Sequence, residues 1–284
     1  MQLIEIGDTR VVQIRPDDSI DYAIALLEEH GFRHLPVVER GRILGMVSDR
    51  DLLSAVGMLP SESRTAGSEG PARVGATKIA QVMSSPARTI PADAPLAEAA
   101  ELMLNARIRA LPLLYKDHLA GIVTETDFLK CYLDDRPIAH RPGWRLQKVG
   151  DRMSAPVISL LPGDTFLHAV RVMQTRGIRH LPIVKDDRLL GIVSDRDMRK
   201  VLVDLRIAAE DASVDGPIHQ PEVILRDIMT RDVVTAEPAL TLAEIAGTLV
   251  TGKFGCLPVL EEPNLVGIIT QADLLQIFVE ACKA

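Results

Sequence analysis

The stretch that decides the fold runs from residue 32 to residue 51 and reads FRHLPVVERGRILGMVSDRD. Two short apolar runs, residues 35–38 and 43–47, flank the polar turn at residues 39–42, a pattern that predicts a β-hairpin. Ser48 then begins a predicted helix, whose apolar positions are Leu52, Leu53 and Val56.

The residues before this stretch predict an extended segment followed by another helix. Residues 11–14 are apolar, and Pro16 favours an extended conformation in the residue before it. The helix that follows has N-cap oxygens from Asp17, Asp18 and Ser19 and apolar residues at helical spacing, Ile20, Ala23, Ile24 and Leu27. Gly31 ends it. The predicted order is therefore strand, helix, strand, strand, helix.

The pattern recurs as IRALPLLYKDHLAGIVTETD at residues 108–127, IRHLPIVKDDRLLGIVSDRD at 178–197 and FGCLPVLEEPNLVGIITQAD at 254–273. The prolines after leucine, Pro36, Pro112, Pro182 and Pro258, are 76, 70 and 76 residues apart. The first and third copies are offset by 146 residues, and so are the second and fourth, so the duplicated unit is a pair. A unit of about 55 residues has little core of its own, which favours pairing.

The predicted fold class is α/β (α+β), with four β-α-β-β-α repeats packed as two pairs. We expect repeats at residues 1–60, 78–134, 147–203 and 223–284, and hence pairs at 1–134 and 147–284. The connecting segments at 61–77, 134–147 and 204–221 are rich in Gly, Pro, Ser and charged residues, as linkers or surface loops are.

The composition excludes several classes of function. Aromatic residues make up only 3% of the chain, so we expect a core of Leu, Ile, Val, Ala and Met and no surface that stacks nucleic-acid bases. The net charge of -7 also disfavours nucleic-acid binding. No apolar run is long enough to span a membrane and no signal core begins the chain, which predicts a cytoplasmic protein without membrane insertion. Three distant cysteines predict free thiols, and we expect no metal site.

The repeats resemble the CBS domain. The resemblance rests on an L-P strand, on a glycine, two apolar residues and then S/T-x-x-D, and on the lead-ins Val82-Met83-Ser84, Arg152-Met153-Ser154 and Ile228-Met229-Thr230. The first copy departs from it with Ile6-Gly7-Asp8, a difference we assign to that copy's own pocket entrance. The resemblance implies that two motifs pack through their sheets into a Bateman module, that two modules commonly form a disc, and that clefts between paired motifs bind AMP, ATP, related adenosine compounds or S-adenosylmethionine.

The S/T-x-x-D elements are the principal candidate binding residues: Ser48 with Asp51, Thr124 with Asp127, Ser194 with Asp197, and Thr270 with Asp273. A hydroxyl followed three residues later by a carboxylate is also a helix-capping arrangement. The two interpretations are compatible, because a carboxylate in the first helical turn can accept ribose hydroxyls while free N–H groups face a phosphate. The glycine before each element, such as Gly45, fits either close approach to a ligand or tight strand packing.

Basic residues distinguish the copies. The candidates for phosphate binding are Arg33, His34 and Arg50 in the first copy, Arg109 in the second, and Arg179, His180 and Arg196 in the third. Arg107 adds charge in the second copy, whereas the fourth has only Lys253 nearby. Each such residue could instead be a solvated surface charge. Because the basic residues repeat at an offset of 146, we predict that the clefts of the first and third copies are favoured.

Two functional hypotheses follow. The first is a non-catalytic regulatory protein that senses AMP, ADP, ATP or S-adenosylmethionine, with ligand occupancy shifting the packing of the modules for a partner protein to detect. The second is a ligand-free scaffold for protein–protein association. We predict no enzyme activity, since no P-loop, dinucleotide fingerprint, nucleophile elbow or metal cluster is present in the sequence and the repeats occupy almost the whole chain. Two chains could also associate as a homodimer.

Overall fold

The computed structural model describes residues 1–55, 76–134, 142–198, 200–201 and 223–283. The linkers predicted at 61–77, 134–147 and 204–221 lie wholly or partly outside these residues, as does Val56, which was expected in a helix. The chain divides into two compact units. Unit 1 comprises Met1–Trp144 and Leu274–Ala284, and unit 2 comprises Arg145–Asp273.

The first helix of the first repeat begins and ends at the predicted caps. Helix α1 (Ile20–His30) follows Ser19, whose Oγ accepts a hydrogen bond from the Tyr22 N–H at 3.1 Å. It ends at Gly31, which has a φ of 66°, a left-handed conformation that glycine adopts without Cβ strain. Ile20, Ala23 and Leu27 are buried on one face. The equivalent helices are α3 (Leu96–Ala106), α5 (Phe166–Arg176) and α8 (Leu242–Gly252).

Each repeat continues into an antiparallel hairpin of the same register. The pairs are β1 (His34–Glu39) with β2 (Arg42–Ser48), β4 (Ala110–Tyr115) with β5 (His118–Thr124), β6 (His180–Lys185) with β7 (Arg188–Ser194), and β8 (Cys256–Glu261) with β9 (Asn264–Thr270). Leu35 lies opposite Val47, and a bulge follows Val37. In unit 2 the two hairpins join through β7 and β9 into one sheet of order β6-β7-β9-β8. The predicted hairpins are confirmed.

The predicted first strand is shorter than expected. In the first repeat it is a single parallel bridge from Ile14 to Val37, and Leu160 and Ala236 form equivalent bridges in the third and fourth. In the second repeat it lengthens to β3 (Ile90–Pro91), parallel to β4. The order of elements nevertheless agrees with the prediction, so the mixed α/β class with paired repeats is confirmed.

The second helices follow the hairpins directly. They are α2 (Asp49–Ala55), α4 (Glu125–Lys130), α6 (195–198) and α9 (Gln271–Lys283). The strand residue just before each hydroxyl is completely buried, at Val47, Val123, Val193 and Ile269. Burying one such side chain contributes about 1.5–3 kcal/mol, so these residues anchor the strand-to-helix junction in the core.

The short lead-in segment of each repeat forms backbone hydrogen bonds with the hairpin of the other repeat in its pair. In unit 1, Ser84 of the second repeat exchanges backbone hydrogen bonds of 2.8 and 3.0 Å with Met46 on β2 of the first. Asp8 of the first repeat exchanges bonds of 2.9 Å with Ile122 on β5 of the second.

Unit 2 repeats this exchange. Ser154 pairs with Ile268 on β9, and Thr230, which follows the short helix α7 (Leu225–Ile228), pairs with Ile192 on β7. Each lead-in therefore packs on the hairpin of its partner repeat.

The C-terminal part of helix α9 packs in an aromatic cluster of unit 1. Phe278 on α9 lies 5.5 Å from Phe128 and 5.7 Å from Trp144, and Trp144 lies 4.4 Å from Tyr132, measured between ring centroids. The Tyr132 hydroxyl donates a hydrogen bond of 2.6 Å to the Leu274 carbonyl. The repeat pattern assigns residues 274–284 to the second pair, whereas these contacts place them in unit 1. The expected aliphatic core thus has an aromatic part.

Candidate functional site

The four S/T-x-x-D elements have the same local geometry. We number the sites by repeat: site 1 (Ser48 and Asp51), site 2 (Thr124 and Asp127), site 3 (Ser194 and Asp197) and site 4 (Thr270 and Asp273). In each, one carboxylate oxygen, Oδ2, accepts the backbone N–H of the Ser or Thr at 2.8–2.9 Å and its hydroxyl at 2.6–2.8 Å. This is a capping box at the N-terminus of a helix. The capping interpretation therefore holds at all four sites.

The second carboxylate oxygen, Oδ1, differs between sites. At site 2, Asp127 Oδ1 accepts a 2.7 Å bond from Lys130 Nζ, one turn further along α4. At site 4, Asp273 Oδ1 accepts a 3.3 Å bond from the Ser154 hydroxyl, which belongs to the lead-in of the partner repeat. At site 3, no described side chain donates to Asp197 Oδ1. At site 3 the Oδ1 atom thus accepts no bond from a described side chain, whereas at sites 2 and 4 the corresponding atom already accepts one.

Each site faces a lead-in of the partner repeat, and the glycines mark the close approach. A Cβ on Gly45 would lie 2.6 Å from the Ser84 carbonyl oxygen, and one on Gly191 would lie 2.7 Å from that of Thr230. Both distances are shorter than real Cβ contacts, so a side chain there would displace the lead-in. Of the two interpretations left open for these glycines, the structure supports tight packing against the partner repeat.

The departure at Ile6-Gly7-Asp8 affects a different site from the one we expected. We assigned it to the pocket entrance of the first repeat, but Asp8 pairs with Ile122, two residues before Thr124 of site 2. The expectation was wrong because the lead-ins are exchanged within each pair. Site 2 therefore faces Asp8 where sites 1, 3 and 4 face Ser84, Thr230 and Ser154.

The predicted basic residues lie next to the helix starts but engage their own repeat. The carbonyls of Arg33, Arg109 and Arg179 accept the N–H of the first residue of α2, α4 and α6, at 3.1, 3.3 and 2.9 Å. The guanidinium of Arg109 lies 3.6 Å from Glu125, and that of Arg179 lies 3.8 Å from Asp195. A phosphate bound at these arginines would compete with those carboxylates.

The remaining basic candidates are placed differently. Arg196 is exposed on α6, and Arg107 and Lys253 are exposed residues that end α3 and α8 in left-handed conformations. His34 and His180 are half-buried at the starts of β1 and β6. The side chain of Arg50 lies outside the described part of the structure.

Sequence reasoning missed the half-buried residues that flank the sites. Val47 and its equivalents are fully buried core residues. The residues one position earlier, Met46, Ile122, Ile192 and Ile268, are half-buried and pair with the lead-ins. The period-two alternation of a strand could have identified them, since Gly45 and Val47 point to one face and Met46 to the other.

The buried cysteine near site 4, Cys256, is an unreactive thiol. Burial raises the pKa of the Cys256 thiol to about 12, with a smaller contribution from the negative charge of Asp273. Such a thiol stays protonated at neutral pH. Among the described residues, no group of three or more His, Cys, Asp or Glu is placed to hold a metal ion, and no helix has the length and apolar character to cross a membrane.

Comparison with known proteins agrees with this architecture. The CBS-domain family model matches residues 4–57, 79–134, 149–204 and 225–280. Protein MJ1225 of Methanocaldococcus jannaschii is 27% identical over 276 residues, covering 95% of each chain. Its crystal structure, described as that of a proposed archaeal homologue of g-AMPK, has a TM-score of 0.79, 26% identity and coverage of 98% of this chain and 100% of that one.

Two further relatives match nearly the whole chain and half of it, respectively. A Pyrococcus horikoshii protein of known structure shares the fold, with a TM-score of 0.66, 21% identity and coverage of 98% of this chain and 100% of that one. The CBS domain-containing protein YhcV of Bacillus subtilis is 32% identical over 129 residues, which are 45% of this chain and 84% of YhcV. Half of the present chain thus corresponds to most of another protein, as expected if a pair is the unit. With four matched repeats covering most of its length, this chain belongs to the CBS-domain family.

Proposed function

We propose that the chain is a non-catalytic regulatory protein that binds an adenosine-containing ligand, such as AMP, ADP, ATP or S-adenosylmethionine, at sites between paired CBS repeats. The observation that carries the proposal is the carboxylate held in the first turn of a helix at every site, opposite the lead-in of the partner repeat. In that position a carboxylate can accept ribose hydroxyls, and the helix N-terminus favours the anionic part of a nucleotide.

The sites are unequal, and sites 1 and 3 are the principal ligand sites. The engaged Oδ1 atoms at sites 2 and 4 support placing site 3 above them, because a ribose hydroxyl there must share or displace Lys130 or Ser154. Site 1 is ranked with site 3 because the two repeats share their basic residues, Arg33 and His34 with Arg179 and His180. Charge supports it as well. The fourth repeat has Gly255 where the other three have Arg33, Arg109 and Arg179, so site 4 lacks that positive charge.

A thermal-shift series tests the proposal. The full chain is melted with increasing AMP, ADP, ATP, S-adenosylmethionine and NADH, and a true ligand raises the melting temperature in step with its concentration. A ligand at 100 times its Kd stabilises by about 2.7 kcal/mol, which is easily measured. Mass spectrometry of small molecules that copurify with the protein identifies the ligand independently.

A second candidate function rests on the capping boxes themselves. Because Ser or Thr and Asp satisfy one another at all four sites, the elements are explained without any ligand. The chain would then be a scaffold that binds a partner protein. The absence of a melting shift with all five compounds favours the scaffold and refutes the sensor.

A further inference from the structure

His180 connects site 3 to the neighbouring repeat. It begins β6 and lies directly opposite Ser194 in the hairpin ladder. Directly opposite residues in an antiparallel pair have Cα atoms about 4.5–5.5 Å apart. A displacement of His180 would therefore also displace Ser194 of site 3. Predicted as a phosphate ligand, His180 is also a neighbour of the fourth repeat.

The His180 ring occupies the space beside Gly255 of the fourth repeat. A Cβ on Gly255 would lie 2.5 Å from both Cε1 and Nε2 of the ring, and its three nearest atoms all belong to His180. Gly255 does not have a positive φ, unlike Gly31, Gly41 and Gly143, so its backbone does not require glycine. A side chain at position 255 would therefore have to displace the His180 ring.

Gly255 in turn holds the start of the helix that carries site 4. Its carbonyl accepts the Gln271 N–H at 3.1 Å, and the Gln271 side-chain amide donates to the Phe254 carbonyl at 2.8 Å. Gln271 is only 4% exposed and begins α9, two residues before Asp273. A continuous set of contacts thus runs from Ser194 through His180, Gly255 and Gln271 to Asp273.

We propose that His180 is a positioning residue that couples sites 3 and 4 through its contact with Gly255. A ligand that moves the start of β6 changes the position of Gly255, and with it the first turn of α9. Coupling is reciprocal, so a change at Gly255 alters the ligand affinity of site 3. This inference rests on the proposed function, and its effect on site 3 does not require site 4 to be occupied.

A double-mutant cycle tests the coupling. Gly255→Ala, His180→Ala and the double variant are prepared in the full chain with Asp51→Asn, so that site 3 dominates AMP binding. Gly163→Ala is the matched control, because nothing lies within 4 Å of a Cβ there. Melting temperatures measure the contact, and calorimetric titration with AMP measures the affinity.

We expect Gly255→Ala to weaken AMP binding about tenfold, equivalent to about 1.4 kcal/mol, and to lower the melting temperature. Once His180 is alanine, the same change should alter the affinity less than twofold, because the ring it collides with is gone. Gly163→Ala should match the parent. Equal effects of Gly255→Ala with and without His180, or no effect on affinity, overturn the coupling.

A parent protein that binds none of the adenosine compounds refutes the proposed function instead. The melting temperatures then still decide the contact, since additive effects of the two substitutions would show that His180 and Gly255 do not interact.

Discussion

Replacing each site aspartate by asparagine separates helix capping from ligand binding. At all four sites the same oxygen accepts the same two hydrogen bonds, with lengths that agree within 0.2 Å. Loss of a cap costs about 1 kcal/mol. We therefore expect Asp51→Asn and Asp197→Asn to lower the melting temperature by similar amounts, about 2–4 °C each. Asp127→Asn and Asp273→Asn also lose the Oδ1 bond from Lys130 or Ser154 and should lower it by at least as much.

The effect on ligand affinity should differ between the same four variants. A hydrogen bond to a charged acceptor contributes about 1.5–3 kcal/mol, so losing it at an occupied site weakens binding about 10- to 150-fold. We expect losses of this size for Asp51→Asn and Asp197→Asn. At Asp127 and Asp273, where Lys130 and Ser154 already bond to Oδ1, we expect less than a threefold change.

Calorimetric titration of the full chain with AMP, beside thermal unfolding of the same samples, measures both quantities. The four variants are controls for one another, since the capping loss is common to all. Losses of affinity at Asp127 and Asp273 that exceed those at Asp51 and Asp197 would refute the ranking of sites. Affinity losses that merely follow the loss of stability would show that the carboxylates only cap helices.

Three further predictions concern packing and ionisation. Gly191→Ala places a Cβ 2.7 Å from the Thr230 carbonyl oxygen and should destabilise the protein by about 1–3 kcal/mol in urea unfolding. Gly163→Ala should be neutral, and equal effects of the two substitutions would contradict the close approach of the lead-in. The Cys256 thiol should resist a thiol reagent at pH 8 until the protein is unfolded. The pKa of this thiol is raised from 9.0 to about 12 on folding, so its contribution to the free energy of unfolding should be complete below pH 9 and lost as the pH rises towards 12. Cys256→Ala should remove this loss of stability, and the same pH dependence in that variant would disprove the prediction. Tyr132→Phe removes the hydroxyl that donates to the Leu274 carbonyl and should lower the free energy of unfolding in urea by about 1 kcal/mol. An unchanged free energy of unfolding would show that this bond does not stabilise the protein.

Local features of the fold could be predicted from the sequence because they depend on neighbouring residues. Gly31 ends α1 since glycine adopts the left-handed conformation without strain, and Ser19 caps the helix start through its own hydroxyl. The hairpins follow from two apolar runs and a polar turn. The pairing of repeats followed from the 146-residue offset, which is a property of the sequence alone.

Features that depend on which repeat contacts which could not be predicted. Apolar periodicity shows that a face is buried but not what covers it, so the exchange of lead-ins and the placement of Asp8 opposite Ile122 were missed. The engagement of Asp127 by Lys130 and of Asp273 by Ser154 needs side-chain geometry. The spacing of sequence motifs carries no such information.

The aromatic cluster in unit 1 has a practical consequence. Trp144 is the chain's single tryptophan, it is only 5% exposed, and it touches Tyr132 and Phe278. Intrinsic fluorescence excited at the indole band therefore comes from one known position. Its emission wavelength follows the polarity around that ring, so undocking of the C-terminal end of α9 should shift the spectrum to the red without any added label.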